Sequence, residues 1–104
     1  MIKITLTLNQ WDSVLKNKTA IQTNAIYNAK RNKESDTLTL EITHEQFVDC
    51  FKRAFYSYHT YQALVGIQET ENFPAKAAHI MAQRAVYHKK IMKELSQQAQ
   101  EQYE

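Results

Sequence analysis

Apolar and polar residues alternate with period two at the start of the chain and again near its middle. Ile2, Ile4, Leu6 and Leu8 fall on one side of the first run, with Lys3, Thr5 and Thr7 opposite. In the second run Leu38, Leu40 and Ile42 oppose Thr37, Thr39, Glu41 and Thr43. This periodicity predicts two strands, each covered on one face. Both lead directly into a capped helix. Asn9 is placed to cap the first, with Asp12 in its opening turn, and Thr43 with Gln46 forms a capping box ahead of Phe47. The two blocks follow the same logic with a two-residue difference in length, a hint of pseudo-symmetry.

Trp11, Val14, Leu15, Lys18, Ile21 or Gln22, Ala25, Ile26 and Ala29 recur at helical spacing and predict a first helix with a thin apolar face. Its propensity is weakened by three Asn and two Thr between positions 17 and 28. The polar run Arg31 to Asp36 reads as a loop returning to the sheet. The strongest apolar stripe is Phe47, Cys50, Phe51, Ala54, Phe55, Tyr58, Tyr61, Leu64 and Val65, which predicts a helix over 44–65 ended by Gly66. Pro74 suits the first turn of a last helix, from Ala75 to about Gln102. There Ala78, Met81, Ala85, His88, Met92, Leu95 and Ala99 keep a near-heptad rhythm that Ile80, Val86 and Ile91 widen. Gln- and Glu-rich sequence follows Leu95, where fraying is expected after residue 98.

These elements predict an α+β fold, a small β-α-β-α-α domain with two short strands and a long C-terminal helix. With 104 residues the chain has material for one core, so residues 1–104 read as a single compact domain. A two-stranded sheet would leave both edges unpaired, which makes a homodimer through an edge or the last helix a reasonable arrangement.

Charge is uneven along this sequence. Residues 1–35 hold six basic and two acidic groups, residues 36–73 two and six, and residues 74–104 five and three. A net charge of +2 is far from the field of an obligate nucleic-acid coater, while mixed faces suit a charged protein partner. The single cysteine, Cys50, has no internal disulfide partner and fits a reducing, cytoplasmic compartment. No run approaches the length of apolar sequence that crosses a bilayer, and the chain's start lacks the apolar stretch of a signal peptide, so no membrane partner is expected.

Candidate chemistry is sparse. His44, His59, His79 and His88 form no metal-binding pair at helical spacing, and no cofactor is implied. Cys50 falls on the apolar stripe, where burial disfavours a thiolate. The residue pattern therefore points to a noncatalytic protein-interaction module, an accessory or inhibitory factor that occupies the surface of another protein or protein complex. Its partner-binding candidates are Tyr56, His59, Tyr61, Lys89, Lys90 and Lys93, chosen for interface-prone aromatics and a basic helical face. The alternative is a small nucleic-acid-binding protein whose basic patches converge on phosphate, using Lys30, Arg31, Lys33 and Arg84.

Overall fold

The computed structural model describes residues 1–15, 31–70 and 74–103. Strand β1 (Ile2–Thr7) leads into helix α1 (Leu8–Val14). Strand β2 (Arg31–Asn32) forms a hairpin with β3 (Thr37–Ile42), and helices α2 (His44–Thr70) and α3 (Ala75–Tyr103) follow. The α+β class and the long C-terminal helix agree with the sequence. Among the described residues the sheet has three strands rather than two, antiparallel in the order β1-β3-β2.

Local chemistry explains why Arg31–Asp36 is a hairpin and not a plain loop. Asn32 Oδ1 accepts from the backbone N–H of Glu34 at 3.1 Å and of Ser35 at 3.4 Å, tightening the turn. Asp36 adopts φ 54°, a left-handed conformation that Asp tolerates better than most residues. Its carboxylate meets Arg31 at 2.8 Å across the hairpin, and its carbonyl accepts from the N–H of Leu8.

Cap positions correct the sequence reading. The N-cap of α1 is Thr7, not Asn9: Thr7 Oγ1 accepts from the N–H of Gln10, and Gln10 Oε1 accepts from the N–H of Thr7. Thr43 and Gln46 exchange the same pair of bonds ahead of α2. The two blocks therefore align with a constant offset of 36 residues and no length difference. Thr7, Gln10, Trp11 and Val14 correspond to Thr43, Gln46, Phe47 and Cys50. The strand register obeys the same relation. Ile4 pairs with Leu40, Ile2 with Ile42 and Leu6 with Leu38, so an approximate two-fold relates the two strands through the Ile4–Leu40 pair.

The first two helices also differ in length from expectation. Leu15 leaves the helical conformation at φ −83°, ψ 129°, so α1 ends there, and the rest of the expected first helix lies outside the described residues. Helix α2 continues through Gly66 to Thr70. Helix α3, at Ala75–Tyr103, has the span the sequence predicts.

Among the described residues a hydrophobic cluster joins the elements. Ile2, Ile4, Leu6, Leu38 and Ile42 cover one sheet face, and against them pack Trp11 and Val14 of α1, Cys50 and Ala54 of α2, and Ile91, Leu95 and Ala99 of α3. The opposite sheet face is polar, with a Lys3–Glu41 ion pair at 3.7 Å and a Thr5–Thr39 hydroxyl contact at 2.7 Å. Small buried residues, Ala54, Ala78 and Ala85, line the α2–α3 hairpin and allow close approach of the helices. Ile91 joins the α3 stripe as the spacing predicts. Ile80 and Val86, placed in the same stripe by sequence, are exposed.

Candidate functional site

The sequence-derived candidates do not form one surface. They separate into an open groove on the α2–α3 seam, a shallow recess on α2, an aromatic contact further along the seam, and the hairpin edge of the sheet.

Helical spacing builds the groove. On α3, Lys89, Lys93, Ser96 and Gln100 recur at three- and four-residue steps and so share a face, with Gln97 beside them. Half-buried Met92 and Phe51 of α2 form the apolar floor, which meets the core beneath. The volume is about 670 Å³, and it opens widely to solvent. Val48, Phe51 and Phe55 are spaced three and four residues apart on α2, so an apolar rail runs beside the groove; Val48 and Phe55 are exposed. Val86, 68% exposed, extends the α3 side one turn toward the N-terminus. Lys90 is exposed on α3 next to Lys89 and does not line the groove.

Tyr56 is 60% exposed and lies elsewhere, in a recess of about 200 Å³ shared with Asp49, Lys52 and Arg53. His59 is exposed one turn beyond Phe55 and rests on its ring at 4.3 Å, with Tyr58 edge-on at 5.1 Å. Tyr61 is held within the seam. Its ring stacks on His88 at 5.7 Å and 5°, its hydroxyl accepts from Arg84 Nη1 at 3.4 Å, and the Arg84 guanidinium lies 5.9 Å from the ring centre.

The surroundings of His88 change its chemistry. Burial, followed by the Arg84 charge, holds its pKa below the ordinary 6.5. Nδ1 is buried without a hydrogen-bond partner, so a doubly protonated ring would leave an unsatisfied N–H there. Burial also pushes the Cys50 thiol up to about 11, helped by Asp49 and opposed by Arg53. A thiol so placed is a packing group.

The basic residues are dispersed. Arg31 and Lys33 belong to the β2–β3 hairpin at the sheet edge remote from β1, while α3 packs against β1. Arg84 sits at the Tyr61 contact, and Lys30 lies outside the described residues. Arg31 is already engaged with Asp36. Among the described residues no three His, Cys, Asp or Glu side chains group closely enough to hold a metal ion, and no helix is long and apolar enough to cross a membrane.

The groove itself was not legible in sequence. Lys89 and Lys93 were, as a basic face, but Phe51 and Met92 read as core, and only the packing of α3 on α2 shows that their outer edges remain open. No protein-family model matches the chain, and no curated protein or solved structure matches it either.

Proposed function

We infer that this chain is a noncatalytic protein-interaction module whose working surface is the α2–α3 seam. The observation that carries this reading is the groove in which Phe51 and Met92 lie between solvent and core, bordered by Lys89 and Lys93. An apolar floor supplies burial, and a cationic wall supplies orientation and selects charge. The complementary ligand is an amphipathic helix of a partner protein, with apolar residues at successive turns and carboxylates along one flank. Its apolar residues would cover Phe51, Met92 and the neighbouring Val48–Phe55 rail, and its acids would meet the two lysines. Occupying such a helix is sufficient for an accessory or inhibitory role.

Affinity capture from the native host, with wild type and Lys89→Glu/Lys93→Glu side by side, tests the reading. Both lysines are exposed, so the variant is expected to melt with wild type. A stoichiometric protein recovered by wild type and reduced at least tenfold by the variant supports it. Equal recovery by a folded variant rejects this surface. Recovery of nucleic acid alone, released by salt, replaces it with the nucleic-acid alternative.

A further inference from the structure

The outer edge of β1 is closed by side chains. The backbone N–H of Thr5 donates to Gln98 Oε1 at 2.7 Å, and Gln98 Nε2 donates to the Thr5 carbonyl at 2.8 Å. One turn on, the N–H of Lys3 donates to Gln102 Oε1 at 2.7 Å, and Gln102 Nε2 donates back to the Lys3 carbonyl. Each glutamine amide thus makes the two bonds that a residue of a neighbouring antiparallel strand would make. The match is metric: four residues of helix rise about 6 Å, and two residues of strand span about 6.7 Å. Gln98 and Gln102 therefore meet Thr5 and Lys3 in step, with α3 running opposite to β1. The next outward N–H, that of Thr7, is taken by Gln10 of the capping box at 3.0 Å.

An edge strand with outward backbone groups is a template for another strand, and proteins cover such edges. Here the cover is two polar side chains near the end of α3, beyond the deeply buried Ile91 and Leu95. We propose that Gln98 and Gln102 are a guard that keeps β1 from pairing with β1 of a second copy of this chain, and that withdrawing the guard converts the protein to an edge-to-edge dimer.

The occupant follows from the groups exposed. An antiparallel pair of β1 strands centred on Ile4 would set Lys3 opposite Thr5 of the other copy and Thr5 opposite Lys3. That arrangement uses the same four backbone groups the two glutamines now hold. It places Ile4 beside its own copy and Ile2 beside Leu6, keeping the apolar sides together, and sets no two lysines opposite each other. The pairing reproduces across copies the relation that β1 already has with β3 about Ile4 and Leu40.

The test compares wild type with Gln98→Ala/Gln102→Ala by light scattering over a concentration series, and by amide hydrogen exchange. The variant is expected to become a concentration-dependent dimer in which the Lys3 and Thr5 amides gain protection as the dimer forms, while wild type stays monomeric under the same conditions. A variant that folds, stays monomeric and exchanges Lys3 and Thr5 at least tenfold faster than wild type at every concentration overturns the proposal, as does a wild type that is itself a β1-paired dimer. Should the variant lose its fold, wild type decides by exchange at rising concentration in mild denaturant. Protection gained at Lys3 and Thr5 as α3 loosens supports the guard, and protection independent of concentration rejects it.

Discussion

The indole Nε1 of Trp11 donates a 2.7 Å hydrogen bond to the carbonyl oxygen of Leu38, tying the first helix to the central strand from a fully buried position. A buried indole N–H is costly unless paired, and this pairing fixes where α1 sits over the sheet. Trp11→Phe keeps an aromatic ring but loses the donor and part of the volume. Urea unfolding of that variant is expected to show a loss of about 1–3 kcal/mol, whereas a change below ~0.5 kcal/mol would mean the bond contributes little.

Gly66 lies exposed inside α2, with nothing within 4 Å of an added Cβ. Gly66→Ala should therefore stabilise the protein by about 0.5–1 kcal/mol, through a less flexible unfolded chain and better helix propensity. Thermal unfolding checks this, and a lower Tm would show that the helix needs a glycine there.

His88 gives stability a pH dependence. Its folded pKa is below the ordinary 6.5, so in the interval beneath that value the unfolded chain binds the proton more readily. The contribution is complete above pH 6.5 and is lost as pH falls through the folded value. His88→Phe preserves a ring against Tyr61 and Tyr87 and cannot titrate. Unfolding free energy measured from pH 7.5 to 5 is expected to fall less steeply for this variant, and parallel profiles would exclude His88 as a cause.

Cys50, buried and raised to about 11, should resist alkylation in the native protein. At pH 8 about one thiol in a thousand is ionised, and access is blocked as well. Iodoacetamide labelling is expected to be at least a hundredfold faster in denaturant than without it. Comparable rates would place the thiol at the surface.

Much of this architecture is local and so was readable in the chain. Strand faces follow from alternation, and the Thr43–Gln46 cap from residues three apart. The cap of α1 was displaced because Asn9 and Thr7 are both good caps, and Gln10, three residues after Thr7, decides between them. β2 leaves no signal in the sequence because two residues carry no periodicity; they become a strand through pairing with Leu38 and Thr37. Gly66 reads as a stop, yet α2 runs through it to Thr70: a glycine inside a helix costs only about 1 kcal/mol relative to Ala, too little by itself to end one. Gln98 and Gln102 look like a polar helix end until β1 is placed beside them. The candidate site was half visible, since charge shows in composition and a groove needs two helices.

Docking of a partner on the α2–α3 seam can be read residue by residue from amide chemical-shift mapping. The 15N-labelled chain would be titrated with the protein recovered in the native-host capture. The largest perturbations are expected at Phe51, Lys89, Met92, Lys93 and Gln97, with the Lys33–Asp36 turn and the Tyr56 recess unmoved. Perturbations concentrated at Tyr56 or at the Arg31–Lys33 hairpin, with the groove silent, would mean that the partner docks elsewhere.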